Sequence, residues 1–474
     1  MAPRVPHFSA GRGVTPAFRL RLIAGRLAGG NPHWSRRLPG ERDVADGGVR
    51  TAVFAAISRR WFYGWTVVAV AGLGLFASGA GQSHIFSVFI GPIGRDLGLS
   101  KAAIGSAYGI ATLVAALCLP YMGRLLDRFG ARRMTAVVAL LFGAACLALG
   151  AAANLVWLAA GFAALRCFGM GALMLGCTNL VSQWFSRRRG FALSLMALGF
   201  AASMAIHPPL GQYLVETLGW RRAWVLLGLF TWALLLPPIL LLVHDRPEDR
   251  GLRPDGDPPE TAVARADSDA TTGLTGLTLR EALGTPAFYI VGAGFFTTTM
   301  MATALHFYQV SILGAQGVAA EIAARVFPVS ALTMVLAMPL VGRLFDRGRT
   351  RHAFAGGLLV TGAALVGVTL VHDVATAVLY AMLFGINNAS TMTMFGYMWP
   401  RYFGRRHLGS IQGMGQMIGA LGAALGPLPV GLAFDLAGSA AATLRLLALL
   451  PLGCAVAASF LRTPSGVTGA EHLD

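Results

Sequence analysis

Twelve apolar segments of about 20 residues or more recur along the 474-residue chain, and they restrict its fold more than any other feature. Each segment is long enough to cross roughly 30 Å of hydrocarbon as an α-helix. Membrane-spanning strands would be about 10 residues long and would alternate in character, which these segments do not. Charged residues make up 12% of the chain, whereas a soluble domain usually has about 25%. We therefore predict an all-α membrane protein.

The apolar segments divide into two groups of six, separated by a polar, Pro-rich and acidic stretch. The predicted helices cover residues 62–91, 101–123, 133–153, 155–183, 190–214, 221–243, 285–312, 319–342, 352–371, 374–398, 409–432 and 443–461. Residues 61–243 and 285–462 are accordingly predicted to form two six-helix bundles, joined by a cytoplasmic linker at 244–284. Residues 463–474 form a short cytoplasmic tail in this scheme.

The first 60 residues contain no apolar run and are rich in Arg, Gly and Pro, so we expect them to be disordered. They lack the hydrophobic core of a secretory signal. Two other interpretations stay open: an over-extended start of translation, and an organelle transit peptide.

The basic residues indicate how the chain is oriented in the membrane. With the N-terminus in the cytoplasm, 31 of the 38 Lys and Arg residues fall on the inner side and five on the outer side. Arg166 and Arg325 fall within helices. This asymmetry predicts cytoplasmic termini in a bacterial plasma membrane. Because the basic residues form short clusters between apolar segments, the net charge of +17 does not indicate a nucleic-acid partner.

A short charged sequence occurs once in each half, after its second predicted helix. GRLLDRFGARR spans Gly123–Arg133, and GRLFDRGRTR begins at Gly342. The repeat predicts parallel structural repeats around a central site. The candidate gating residues are Gly123, Asp127, Arg128, Gly130, Arg133, Gly342, Asp346 and Arg347. Here the aspartates are expected to accept hydrogen bonds from helix N-terminal amides or to pair with arginines, closing the cytoplasmic side in one state.

The first of these sequences matches the G-x-L-x-D-R-x-G-x-R-R loop of the major facilitator superfamily at every fixed position. The second copy is degenerate, and the six-plus-six layout over residues 62–462 is also similar to that superfamily. Three further stretches resemble its monocarboxylate and oxalate/formate branch. They are WFSRRRGFALSLMALGFAASM before and in helix 5, GWRRAW at the start of helix 6, and PRYFGRRHLGSIQG in the second half. The resemblance implies a secondary transporter that works by alternating access.

Polar residues are concentrated in helices 1, 4, 7 and 10, whereas helices 3, 6, 9 and 12 are almost entirely apolar. Polar side chains at membrane depth are costly and should face water, substrate or one another. The superfamily also lines its cavity with the first helix of each three-helix unit. The candidate substrate-binding residues are Gln82, His84, Arg166, Asn179, His306, Tyr308, Gln309, Asn387 and Asn388.

Arg166 is the sharpest candidate, because a guanidinium stays charged and no acidic residue falls inside a predicted helix near it. It either binds an anionic substrate or bonds to backbone and helix-1 polar groups. The superfamily's helix-4 pattern has three residues between this Arg and the first Gly, whereas two stand here. The related anion transporters also place an Arg before a helix-8 Pro, where this chain has Met338. The resemblance therefore implies a substrate with one negative charge.

His84, His207 and His306 are the plausible membrane-embedded proton acceptors, with His207 and His306 as candidates for coupling. Each is alternatively an ordinary hydrogen-bonding residue. No phosphate-binding G-x-x-x-x-G-K-[ST] motif occurs, so we expect no nucleotide cofactor. The five cysteines form no CxxC pair, so neither a metal site nor a disulfide framework is expected.

The leading hypothesis is a monomeric secondary transporter of a small, monocarboxylate-like organic anion, with protons or a counter-anion as candidate coupling partners. One alternative is proton-coupled efflux of drugs or of neutral or cationic metabolites, which the lack of an embedded carboxylate disfavours. Another is a membrane receptor without transport, which the short tails and linker disfavour. No cluster of catalytic side chains is apparent at membrane depth, so we do not predict an enzyme.

Overall fold

The computed structural model describes residues 49–185, 188–256, 276–347, 349–404, 407–462 and 464. Within these residues the chain is helical and contains no β-strand, which confirms the all-α prediction. Twelve long helices, α1 to α12, follow one another along the chain. They span Gly64–Leu97, Lys101–Phe129, Ala131–Gly150, Leu155–Trp184, Arg189–Leu218, Trp220–Leu242, Pro286–Gly314, Ala320–Arg347, Thr350–Val368, Val374–Phe403, Leu408–Ala437 and Ala441–Ser459.

Eleven of these helices are long and apolar enough to cross a membrane. The exception is α10, which is 30 residues long but carries Asn387 and Asn388 near its middle. These two amides lower its mean hydropathy, although both are buried. Helix α10 packs between α8 and α9 like a membrane helix, so the predicted twelve-helix arrangement is present.

The long helices begin and end within a few residues of the predicted positions, with one consequence for the repeated sequence. Helix α2 continues to Phe129 and α3 starts at Ala131, so the connection is a single residue, Gly130. The residues Gly123, Asp127 and Arg128 therefore lie on the last turns of α2 rather than in a loop. Gly342, Asp346 and Arg347 likewise lie on α8. The expectation of a loop at these positions was wrong because the helical ladder continues through the charged residues.

Helices α1 and α4 are irregular near their middles. Helix α1 ends its first part at Ala77, continues as a 3₁₀ turn over Ser78–Gly81, becomes extended at Gln82 and restarts as Ser83–Leu97. Helix α4 contains a π-helical segment, Arg166–Leu173. Segments of this kind are rare and occur frequently at functional sites. The two irregular segments pack against each other.

The most extensive contacts between the two groups of six helices are those of α1 with α7, α2 with α11, and α5 with α8. We call the side that carries residues 244–256 the linker side and the opposite side the far side. On the far side, Asp435 of α11 accepts hydrogen bonds from the backbone amides of Lys101 (3.1 Å) and Ala102 (2.9 Å). The Tyr308 hydroxyl donates to the Lys101 carbonyl at 2.5 Å. These four residues form what we call the far-side seal.

Residues 1–48 lie outside the described part of the chain, as do 257–275 of the linker and most of the tail. Val49–Ser58, which fall in the segment predicted to be disordered, form a helix. This helix packs onto the membrane domain through two contacts. The Phe54 ring lies 4.5 Å from that of Tyr63, and Arg50 donates a hydrogen bond to the Val243 carbonyl. The sequence prediction missed it because the helix has only 10 residues and relies on these tertiary contacts.

Candidate functional site

The side chain of Arg166 is buried in the N-terminal half, at the start of the π-helical segment of α4. Its exposed fraction is 3%, and neither Nε nor Nη1 has a hydrogen-bond partner among the described residues. The structure therefore favours neither backbone carbonyls nor helix-1 polar groups as partners for these two nitrogens. A buried guanidinium with unused donors is costly unless an acceptor is supplied, and an anion supplies several.

The ring of Tyr108 holds Arg166 in place from α2. The Arg166 guanidinium carbon lies 5.1 Å from the ring centre, within the range of a cation–π interaction. The Tyr108 hydroxyl is also buried, again with no hydrogen-bond partner in the described residues. Tyr108 in turn packs against Phe307 of α7, with ring centres 4.4 Å apart. Arg166 is thereby connected to the second half through one aromatic contact.

The sequence analysis did not predict Tyr108, because the polar residues that indicate a cavity are concentrated in helices 1, 4, 7 and 10, and Tyr108 lies in helix 2. The available signal was its position between Gly105 and Gly109. A side chain at Gly105 would lie 2.4 Å from the Tyr308 hydroxyl, and one at Gly109 would lie 2.5 Å from the Ala424 carbonyl. The glycines allow α2 to approach the second half closely, so the tyrosine between them lies at the interface of the halves.

The break in α1 lies beside the residue that precedes Arg166. A Cβ added to Gly81 would lie 2.6 Å from the Leu165 carbonyl oxygen, so the close approach of α1 to α4 beside the extended residue Gln82 requires a glycine. The second part of α1 then begins at Ser83 without a side-chain cap. Its first amides are left without intrahelical partners and carry the positive end of the helix dipole. Gln82 itself is buried.

The three predicted histidines are brought into one cluster that spans both halves. His84 Nε2 lies 3.4 Å from the Ser203 hydroxyl, and that hydroxyl lies 3.3 Å from His207 Nδ1. The ring of His306 from α7 lies 6.2 Å from that of His84. His306 Nε2 is buried and has no partner within the described residues. The cluster thus joins α1 and α5 of the first half to α7 of the second half.

Two other predicted residues of α7 lie toward the far side. The Tyr308 hydroxyl is engaged in the far-side seal. Gln309 Oε1 accepts a hydrogen bond from the Tyr380 hydroxyl at 3.4 Å, and its Nε2 is buried. A cavity of about 950 Å³ opens nearby between α1, α5 and α7, with Arg95, Lys101 and Glu216 in its lining. None of the predicted substrate-binding residues lines it.

The predicted asparagines have different neighbours. Asn387 Oδ1 accepts from the Thr361 hydroxyl at 2.8 Å, so it joins α10 to α9 inside the second half. Asn388 Nδ2 lies 3.9 Å from Met204 Sδ of α5 and therefore faces the first half. Asn179 is half-buried on α4, beyond the π-helical segment. The structure thus brings Asn388 to the contact between the halves but places Asn387 within one of them.

The candidate gating residues lie on the linker side. The side chains of Asp127, Asp346 and Arg347 lie outside the described part of the structure. Arg128 and Arg133 are exposed. Asp245 of the linker caps the start of α3, because its Oδ1 accepts from the Arg132 amide at 2.7 Å. Gly130 has φ +83°, and a Cβ there would lie 3.0 Å from the same carboxylate.

Comparisons with known proteins agree with this architecture. The family model described as Major Facilitator Superfamily matches residues 71–427 and 312–470. The oxalate:formate antiporter of Oxalobacter formigenes is 24% identical over 251 residues, which are 51% of this chain and 52% of that protein. Human monocarboxylate transporter 11 is 32% identical over 248 residues, 49% of this chain and 47% of that protein. The chain therefore spans about half the length of these two relatives.

A solved structure shares the fold over most of its length. A bacterial homolog of the human lysosomal transporter Spinster superposes with a TM-score of 0.63 at 16% identity, over 83% of this chain and 94% of that one. The sequence match of the family model and the twelve-helix architecture lead to the same conclusion. The chain belongs to the Major Facilitator Superfamily and is built like its transporters, not like an enzyme.

Proposed function

We propose that this protein is a secondary transporter of a small, monocarboxylate-like organic anion, which it moves by alternating access. The observation that carries the proposal is the buried Arg166 guanidinium, whose Nε and Nη1 have no partner among the described residues. An anionic substrate would supply oxygen acceptors for these charged donors. The names of two relatives, an oxalate:formate antiporter and a monocarboxylate transporter, point to the same substrate class.

Other groups around Arg166 support a single negative charge. The Tyr108 hydroxyl offers one more donor, and the uncapped start of the second part of α1 adds a positive helix end. Among the described residues, the other arginines with a buried, unpaired nitrogen lie near helix ends rather than at mid-helix, namely Arg50, Arg132, Arg351 and Arg401. Met338 stands where relatives of this type carry an arginine. A monoanion therefore matches the available charge better than a dianion.

The transport cycle is proposed to move residues 61–243 against residues 285–462, with 244–284 as the connection. The pairs α1–α7, α2–α11 and α5–α8 form the contacts that would change. The last turns of α2 and α8, with Gly123, Asp127, Arg128, Gly130, Arg133, Gly342, Asp346 and Arg347, are proposed to control the linker side. His84, His207 and His306 are the proposed sites for a coupling proton, because they lie between the halves.

The arginine distribution supports a plasma-membrane protein of a bacterium with both termini in the cytoplasm. In this orientation the linker side faces the cytoplasm. We propose that the monomer is the transporting unit, because each half contributes residues to the central contact.

The test is uptake of radiolabelled lactate, formate and oxalate into proteoliposomes that contain the full-length protein. We expect uptake of the monoanions to exceed that of oxalate. Arg166→Gln should abolish uptake, and Arg166→Lys should retain a small fraction because the charge stays but the planar array of guanidinium donors is lost. Arg325→Gln is the matched control, because Arg325 is an exposed helix arginine paired with Glu321. Equal uptake by Arg166→Gln and Arg325→Gln would contradict the proposal.

A further inference from the structure

The end of α6 is surrounded by side chains from three other segments on the linker side. The carbonyls of Leu240, Leu242 and Val243 accept hydrogen bonds from Arg132 (3.0 Å), Tyr63 (2.6 Å) and Arg50 (2.5 Å). These carbonyls are the acceptors that a helix leaves unpaired at its C-terminus. The capping brings two arginines from different segments to one point.

His244 follows directly and is 4% exposed. Its Nδ1 accepts from Arg50 Nη2 at 3.1 Å and from Arg250 Nε at 3.3 Å. Because Nδ1 is an acceptor, the ring is neutral and its hydrogen is on Nε2. Burial, together with the charges of Arg250, Arg50 and Arg132, lowers the pKa of His244 to about 3. The imidazole therefore brings no charge of its own to the cluster.

We call Arg50, Arg132, His244 and Arg250 the arginine cluster, and it contains more donors than acceptors. Arg50 Nε, Arg132 Nε and His244 Nε2 are all buried without a hydrogen-bond partner in the described residues. Burial and the charges of Arg132 and Arg250 lower the pKa of Arg50, and the charge of Asp245 opposes this effect only in part. Three guanidinium groups thus face one nearby carboxylate.

A multivalent oxygen acceptor would satisfy this arrangement. The guanidinium groups of Arg50 and Arg250 both touch one ring nitrogen, so they are close enough for a single tetrahedral anion to bridge them. Phosphate oxygens accept charge-assisted hydrogen bonds from several arginines at once. Trp61, two residues before Tyr63 in sequence, is 58% exposed, as expected for a residue at the membrane surface.

We propose that the arginine cluster is a binding site for a phosphate-type anion, supplied either by the headgroup of an anionic phospholipid or by soluble phosphate. The bound anion would hold the Val49–Ser58 helix and the start of the linker against α3 and α6. This site is separate from Arg166, and the proposal goes beyond the transport function.

The experiment measures thermal unfolding of the full-length protein after lipid removal in a neutral detergent. One arm adds inorganic phosphate, with chloride at equal ionic strength as the reference. The other arm adds phosphatidylglycerol, with phosphatidylcholine as the reference. Stabilisation by phosphate assigns a soluble anion, and stabilisation by phosphatidylglycerol alone assigns a lipid headgroup.

Arg250→Gln should lower the affinity of the protein for the stabilising anion by at least about tenfold, because one charge-assisted hydrogen-bonding group is lost. Arg250→Lys should recover part of the affinity. Arg246→Gln is the matched control, because Arg246 is an exposed linker arginine outside the cluster. Arg166→Gln should bind as the wild type does, which separates this test from the transport test. Stabilisation by neither anion, or equal stabilisation of the Arg250→Gln and Arg246→Gln proteins, would overturn the proposal.

Discussion

The guanidinium of Arg166 lies over the ring of Tyr108, with 5.1 Å between the guanidinium carbon and the ring centre. The pair joins α4 to α2, and both side chains end in buried donors that lack a partner among the described residues. In the proposed transporter, the ring positions the charge and the hydroxyl adds a donor for the substrate.

Tyr108→Phe keeps the ring and removes the hydroxyl. If the hydroxyl donates to the substrate carboxylate, the KM for a transported monoanion should rise about tenfold, since hydrogen bonds to charged groups contribute roughly 1.5–3 kcal/mol. Protein stability should change little. Concentration-dependent uptake into proteoliposomes measures this, with Tyr121→Phe as a control because Tyr121 is an exposed tyrosine on the same helix. An unchanged KM would remove the hydroxyl from the proposed site.

Gly130→Ala should destabilise the protein by about 1–2 kcal/mol, because the backbone between α2 and α3 has φ +83°. The added methyl group would also press against Asp245, the carboxylate that caps α3. Thermal or denaturant unfolding in detergent measures the change. Gly356→Ala on α9 is the control, since a methyl group there meets no atom within 4 Å and the mid-helix glycine has no positive φ. Equal effects of the two substitutions would contradict the strain argument.

Asp435→Ala should loosen the far side. The amides of Lys101 and Ala102 are at the first turn of α2 and have Asp435 as their acceptor. Without it, their hydrogen exchange should be at least about tenfold faster, given the usual contribution of hydrogen bonds to charged groups. Hydrogen–deuterium exchange of peptides covering this turn provides the measurement. Asp373→Ala removes a comparable cap from α10, and it should leave the exchange of α2 unchanged.

The low pKa of His244 predicts that the protein loses stability in acid. Its pKa is about 3 in the folded protein and about 6.5 when unfolded. Between these values the unfolded chain binds more protons, so the contribution of His244 to stability is complete above about pH 6.5 and decreases as the pH falls toward 3. His244→Gln should therefore show a shallower decrease of the unfolding midpoint between pH 7 and pH 4.5 than the wild type. Parallel pH profiles for the two proteins would show that His244 is not the responsible group.

The features that the sequence predicted are those that depend on whether a segment lies in hydrocarbon or in water. The hydropathy pattern predicted the helix ends because apolar runs must match the hydrocarbon thickness. It also identified Arg166 and the three histidines, because polar groups at membrane depth need a local reason to be there. In the structure, Ser203 connects His84 to His207, and the His306 ring lies 6.2 Å from the His84 ring.

The features that the sequence did not predict depend on partners distant along the chain. The break of α1 at Gln82 lies beside the close approach of Gly81 to the Leu165 carbonyl, and no local pattern encodes that approach. Asn387 is as polar as Asn388, yet it pairs with Thr361 inside its own half, because neighbouring positions on α10 are about 100° apart around the helix. A cap on α3 comes from Asp245, more than one hundred residues away along the chain.

The far-side seal has one further consequence. Its donors in α2 are main-chain groups, and Tyr308 contacts a main-chain oxygen of the same turn. Replacement of the Lys101 or Ala102 side chain therefore leaves every one of these bonds intact. The hydrogen bonds of the seal therefore tolerate sequence drift in the first half, and they depend on the carboxylate and the hydroxyl that the second half supplies.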